Sequence, residues 1–383
     1  MNQRFVLRLG LAAIGLFAIV GGAWILALPP VPAVGVASPI AKEEIDATLA
    51  ALKPPKRERP LIAIVGANDG TETTDYLMPY GILRRADVAD VLALGTKPGP
   101  VTLYPALKVE PQAIVSEFDE RHPEGADYVI VPAMHRNDDP AVLQWIKSQA
   151  DKGAIIIGVC VGATIVANAG LLDGKRATTH WYVLAGMRDD HPPIRYVADR
   201  RLVVDSGVAT TTGISASMPM SLTLIETIAG RAKAEAVARD LGLAYWDTRH
   251  DSNAFKVTRR FALTVMGNQL AFWNREKLGI ELTSGVDEVS LALVADVWSR
   301  TYRSRAVAFA ATPDAQNTRN GIRIFPDEVT TEWPKERLLP AIGDRKPAKA
   351  LDDALYGIET RYGTRTADVV AMQLEYPRQM ASH

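Results

Sequence analysis

Three short apolar runs, Leu61–Val65, Asp127–Val131 and Ala154–Gly158, constrain this chain more than any other feature. Each is almost wholly apolar, as expected of strands buried on both faces of a sheet. Helical stretches separate them: Asp75–Ala86, Gln112–Arg121 and Pro140–Lys152, the last with Gly153 placed as a C-cap. Val88–Leu94 and Val101–Tyr104 read as further strands, and Thr164–Ala169 and Ser215–Ala229 as further helices. Strands alternating with helices predict an α/β fold, a doubly wound parallel sheet covered on both faces.

The third run leads into the one motif that carries chemistry. Gly158-Val-Cys160-Val-Gly162 lies between a strand and a helix. This spacing fits a nucleophile elbow, a tight turn that exposes its central side chain, with glycines where neighbouring elements crowd it. A thiol at a helix N-terminus is expected to ionise more easily, which would make Cys160 reactive. A structural cysteine inside the strand would be unremarkable in its position; one between two glycines at the turn is not.

With Ala169-Gly-Leu-Leu-Asp-Gly174 and Arg176-Ala-Thr-Thr-His180-Trp181, the motif resembles the ThiJ/PfpI superfamily, which has a class I glutamine-amidotransferase-like fold. The members most like it are the isonitrile hydratases and the amidase-like domains of AraC-type regulators. The resemblance implies a flavodoxin-like sheet with Cys160 at the carboxyl edge of a central strand. It also implies an acidic partner for the cysteine, four residues before a proline in the first helix, and Asp75-Tyr-Leu-Met-Pro79 fits. A carboxyl there could hold or shuttle the thiol's proton; otherwise Asp75 is a helix-start carboxylate favoured by the dipole.

His180 is a candidate base for Cys160, or a structural histidine near the site. His135 would sit on the same rim, or in an exposed loop. The amide of Val161 is one expected oxyanion donor. The second would come from the turn after Val131, where relatives carry Pro-Gly-Gly and this chain has Pro132-Ala-Met134, a bulkier turn that places Met134 at the pocket. Gly162 completes the pocket. Val161 stands where protease-like members have histidine, and Pro219 in Gly213-Ile-Ser-Ala-Ser-Met-Pro219 stands where relatives have Asp. These departures remove any specific substrate assignment.

The chain has 43 Lys+Arg against 44 Asp+Glu, so no strongly basic surface points to nucleic acid. With a single cysteine it can form no intrachain disulfide, and its six histidines show no zinc spacing. No metal or cofactor is predicted.

Leu9–Leu28 is uncharged and follows Arg4 and Arg8. Its length suits a single membrane-spanning helix of about 30 Å with the folded part on the periplasmic or extracellular side. The alternative is a signal peptide cleaved near Ala33–Ala37. The expected organisation is therefore an anchor or signal over 1–28, a proline-flanked tether over 29–57, the ThiJ/PfpI-like domain over 58–230, a connecting segment over 231–278, and a partial second α/β lobe over 279–383.

That last lobe rests on a weak internal repeat. Asp287–Trp298 is read against Asp75–Ala86, and Phe325-Pro326 against Tyr104-Pro105, with no second cysteine. Trp246–Asp251 reads as a surface loop, or as the lining of a cleft between lobes. Two functions follow. One is a membrane-anchored, cysteine-dependent hydrolase, hydratase or amidase acting on a small molecule, with a homodimer as the candidate assembly and without a nucleic-acid partner. The other is a non-catalytic ligand- or redox-sensing domain built on the same pocket.

Overall fold

The computed structural model describes residues 20–32, 35 and 37–377. Its centre is a seven-stranded sheet in the order Leu202–Asp205, Val208–Thr211, Ile155–Gly158, Tyr128–Val131, Leu61–Gly66, Asp90–Gly95 and Ala113–Ile114. All neighbours run parallel except Leu202–Asp205, the antiparallel edge of a hairpin. Every residue of Leu61–Gly66 is buried, as its apolar run required. Side chains alternate between two cores: Ile62 and Ile64 join Leu77, Tyr80 and Leu224 on one face, while Leu61, Ala63 and Val65 join Phe118, Trp145 and Val166 on the other. The fold is thus the predicted α/β arrangement with a largely parallel sheet.

Differences from expectation are local. Residues Ala113–Ile114 form an edge strand, and the helix begins only at Val115. The tether does not stand free: it forms a helix over Lys42–Ala51, buries Leu52 and offers the Leu52 carbonyl to the Tyr128 hydroxyl at 2.6 Å. Its end is fixed by Asp127, whose carboxylate accepts from the amides of Lys56, Arg57 and Leu61 and from the Arg57 guanidinium at 2.6–3.1 Å. Within Trp246–Asp251, Trp246 and His250 are buried rather than on a surface loop.

The anchor expected over Leu9–Leu28 falls mostly outside the described residues, which include only its last nine; of these, 20–27 are helical. Among the described residues no helix is long and apolar enough to cross a membrane. The membrane-anchored protein and the periplasmic or extracellular location that depended on it are corrected accordingly.

The segment beyond residue 275 repeats the start of the first unit in connectivity. Strand Glu276–Glu281, helix Glu288–Ser299, strand Ser304–Ala310 and strand Glu328–Val329 follow the order of Leu61–Gly66, Thr73–Ala86, Asp90–Gly95 and Ala113–Ile114. The first and last strands start 215 positions apart in the two units (276 − 61 and 328 − 113). Pairings agree at that spacing: Leu94↔Ala113 and Phe309↔Glu328, Thr71↔Leu103 and Val286↔Thr318. The first ladders differ by one residue of register, Leu61↔Asp90 against Glu276↔Ser304. Gly70 and Gly285 share positive φ (78° and 80°), as do Asp87 and Tyr302 (51° and 61°). Asp287 therefore corresponds to Glu72, not to Asp75, and Ser290 stands opposite Asp75.

The two units meet through their first helices. Arg300, after one helix, pairs with Glu72 at the start of the other at 2.6 Å; reciprocally, Arg85 pairs with Asp287. Close approach is needed here, since a Cβ at Gly81 would fall 2.6 Å from Val289 Cγ2. The strands Lys108–Glu110 and Arg323–Phe325 pair antiparallel about Val109↔Ile324, joining the units in one five-stranded sheet.

Asp127→Ala should cost about 3–5 kcal/mol, because it strips four donors of one buried carboxylate. Urea denaturation checks this, and a loss below about 1 kcal/mol would show that the tether's docking does not depend on Asp127.

Candidate functional site

Strand Ile155–Gly158 and helix Gly162–Asn168 leave Cys160 in the turn between them with φ 57°, a left-handed conformation uncommon for a residue with a side chain. Three contacts hold it there. The Cys160 amide donates to Thr211 Oγ1 at 3.1 Å, its carbonyl accepts from Thr179 Oγ1 at 3.1 Å, and the Val159 amide donates to the Val131 carbonyl at 2.9 Å. The flanking glycines have separate reasons. A Cβ at Gly158 would lie 2.8 Å from Ala163 Cα, and one at Gly162 would overlap the Val131 carbonyl oxygen.

Asp75 reaches this turn from the first helix. Glu72 caps that helix, accepting from the Asp75 amide at 2.6 Å and the Thr74 hydroxyl at 2.8 Å. Asp75 is wholly buried; its Oδ2 accepts from the Ala133 amide at 3.1 Å, while its Oδ1 is buried without a hydrogen-bond partner. Ala133 belongs to the turn expected to supply a second oxyanion donor, and its amide is committed to Asp75 instead. Met134 is buried behind it and pairs with Thr71. His135 is exposed, packs against Tyr104 at 4.6 Å between ring centroids, and lines a cavity of about 390 Å³ with Gly70, Arg300, Tyr302 and Gln373.

His180 is buried, but both its ring nitrogens are engaged. Nδ1 accepts from the Tyr182 amide at 3.1 Å, which places the proton on Nε2, 3.0 Å from the Gln373 carbonyl. Burial pushes its pKa down, so the ring is neutral at neutral pH. It is held between the units rather than hydrogen-bonded to Cys160.

Four charged residues near the thiol were missed from sequence: Glu72, Asp296, Arg300 and Glu375. Arg300 donates to Glu72 and Asp296, both at 2.6 Å. Glu375 is buried and accepts from the Trp181 amide at 2.8 Å. Glu72 had a signal, an acidic residue three before another at a helix start. The others lie more than 130 residues from the cysteine and had none.

The electrostatics overturn the expected reactive thiolate. Burial pushes Cys160 well above the ordinary thiol range; Asp75, Glu72 and Glu375 push the same way, and the Val161 amide opposes them. Cys160 is 4% exposed. The helix after it has seven residues, too short to offset this. Burial also raises Asp75, to about 7, against the Ala133 hydrogen bond and the charge of Arg300. Glu72 is raised by burial and then by Asp75 and Asp296. Asp75 thus titrates close to neutral pH. Among the described residues no group of three or more His, Cys, Asp or Glu side chains could hold a metal ion.

A family model described as the DJ-1/PfpI family matches residues 61–227. Isonitrile hydratase of Pseudomonas putida is 30% identical over 175 residues, 44% of this chain and 73% of that protein. The chain belongs to the DJ-1/PfpI family. Its DJ-1/PfpI segment is also similar to the HTH-type transcriptional regulator CdhR of Pseudomonas aeruginosa, 30% identical over 125 residues, 33% of this chain and 37% of that protein. The Parkinson disease protein 7 homolog of Danio rerio is 27% identical over 190 residues, 47% of this chain and 95% of that one. Among solved structures, Drosophila melanogaster DJ-1beta has a TM-score of 0.44 at 23% identity, covering 49% of this chain and 100% of that one.

Regulators among the relatives remove the ground for excluding nucleic acid as a partner, an exclusion that also leaned on the corrected external location. They equally correct the reading of the chain as a membrane-anchored hydrolase, hydratase or amidase. Arg300, Asp296 and Glu375 all lie beyond the matched DJ-1/PfpI segment.

Iodoacetamide at pH 7.5 should label Cys160 more slowly than it labels a free small thiol, and Asp75→Asn should speed labelling above pH 7 by removing a neighbouring negative charge. Faster labelling of the wild type would refute the raised thiol pKa. Asp75 titrates at about 7 when folded against an ordinary 3.8. The folded state therefore binds the proton more tightly, and this stabilisation is full below pH about 4 and lost as pH rises through about 7. Melting temperature should fall across that window in wild type and stay flatter in Asp75→Asn.

Proposed function

We propose that this DJ-1/PfpI protein recognises a small polar molecule at a proton-sharing pair formed by Cys160 and Asp75. The observation that carries this reading is the unpartnered, fully buried Oδ1 of Asp75 on a carboxyl titrating near neutrality, beside a thiol held protonated. Perturbed titratable groups gathered in one buried cluster favour a functional site over a structural one. The 390 Å³ cavity supplies a route, since Arg300 both lines it and pairs with Glu72.

In this reading Asp75 and Cys160 exchange hydrogen bonds with the ligand, and the Val161 amide, facing the sulfur, polarises the polar group bound there. Gly162 lets the helix approach the Val131 turn, while Met134 closes the floor. His180 positions the second unit over the site, and His135 and Arg300 face the ligand at the rim. A closed, protonated thiol is a poor target for oxidants, which favours ligand recognition over redox sensing. The relatives' names include both transcriptional regulators and an enzyme named for isonitrile hydration, and recognition of a small molecule suits either setting.

The test is a thermal-shift screen of small aldehydes, amides, nitriles and isonitriles on the whole chain, followed by Cys160 alkylation. A true ligand raises the melting temperature saturably, protects Cys160, loses its effect in Asp75→Asn and is recovered unchanged. Failure of every stabilising compound to protect Cys160 would reject the site. Consumption of the compound by wild type but not by Cys160→Ser would replace recognition with turnover.

A further inference from the structure

A larger cavity, about 710 Å³, lies away from the Cys160 cluster, between the Ser217–Ala229 helix, the 242–264 stretch and the helices Pro347–Tyr362 and Thr364–Gln373. Its size falls within the range that holds small organic ligands. Met218, Trp246, Phe255, Phe261, Leu351 and Leu374 give it a mainly apolar wall.

Three basic side chains on that wall have unmet hydrogen-bonding capacity. Arg201 donates from Nε to the Arg249 carbonyl at 3.1 Å and from Nη1 to Ser215 Oγ at 2.6 Å; among the described residues no carboxylate pairs with it. The neighbouring Arg249 is already matched by Asp247 at 2.5 Å. His250 is 3% exposed and stacks on Phe255; burial lowers its pKa, its Nε2 lies 3.2 Å from Glu375 Oε2, and its buried Nδ1 and that carboxylate oxygen are both without a hydrogen-bond partner. Arg260 spends Nη2 on Asp368 at 3.0 Å, and its Nε is buried without a partner. Burial depresses the Arg201 pKa against the opposing charges of Glu375 and Asp247, neither of which reaches hydrogen-bond distance of the guanidinium. A desolvated guanidinium with spare donors is matched best by a planar, two-oxygen anion.

We propose that this cavity is a second ligand site, which takes an apolar molecule ending in a carboxylate: the carboxylate sits on Arg201 beside His250, and the apolar body lies along the aromatic wall. The site is independent of Cys160 and stands whether or not the thiol–carboxyl reading does.

Isothermal titration calorimetry on the full chain with octanoate and with octan-1-ol tests it. Octanoate should bind with one-to-one stoichiometry, and octan-1-ol at least about tenfold more weakly, the difference one charge-assisted hydrogen bond makes. Arg201→Met should bring octanoate down to the octanol level and leave octanol unchanged. Ala254→Trp, which places an indole in the cavity without touching Arg201, should abolish binding of both. No binding of octanoate, equal binding of the two probes, or binding that survives Ala254→Trp would each overturn the proposal. Should Arg201→Met not fold, the probe comparison on wild type and the Ala254→Trp result decide alone.

Discussion

The arrangement depends on one guanidinium. Arg300 sits at the end of a helix in the second unit and binds Glu72, the cap of the first helix in the other. Glu72 in turn holds the Asp75 amide, and the first turn so fixed carries the Asp75 side chain to the Ala133 amide. Removing a buried cation of this kind costs about 3–5 kcal/mol, because the carboxylates left behind have no water to replace it. Arg300 thus joins two units and sets the position of the residue on which the site chemistry turns. Its counterpart Arg85 makes the reciprocal contact to Asp287, so the helix pair is clamped at both ends.

That clamp also decides the state of the thiol. Arg300 is one cation among Glu72, Asp75 and Asp296, with Glu375 close behind. A low-dielectric site with more acids than bases keeps protons on the acids, and whichever proton Asp75 gives up makes the thiol harder to ionise. A seven-residue helix contributes a partial charge at most, against burial and several carboxylates. Sequence spacing placed Cys160 in the turn between strand and helix but not the sign of its shift, because the sign came from residues that the turn's own sequence does not contain.

What was legible follows from range. Apolar runs gave the strands, since burial on both faces is written in consecutive residues, and Gly158 and Gly162 gave the turn because their lack of Cβ answers contacts made within that turn. Asp75 stood out only through the family resemblance, which marks an acidic residue four before Pro79. Arg300 and Glu375 were not, because their approach to Cys160 is a product of packing between units. The alignment of Asp287 with Asp75 matched residue types, whereas the strand order places Asp287 level with Glu72, both of them helix caps. The prolines at both ends of the tether spoke against a packed core there, with only a short amphipathic stretch over Glu43–Leu52, yet Leu52 and the donors around Asp127 tie it to the sheet, interactions that proline content does not report.

The pairing of roles explains why the second unit does not repeat the Cys160–Asp75 arrangement of the first. At the register set by the strands, Ser290 stands opposite Asp75, and the single cysteine of the chain lies in the part of the first unit that the second does not repeat. A shared framework of strand, capped helix and strand was enough to build the antiparallel helix contact and the continuous five-stranded sheet. Freed from holding a site of its own, the second unit supplies groups to the first: Arg300 to Glu72, the Gln373 carbonyl to His180, and Glu375 to the Trp181 amide. The same chain end that delivers Glu375 to this cluster also sets its other oxygen against His250 in the wall of the larger cavity. One buried carboxylate thus faces both the Trp181 amide beside the Cys160 cluster and the His250 ring in the cavity wall, a placement that only the packing of the chain end against the first unit produces.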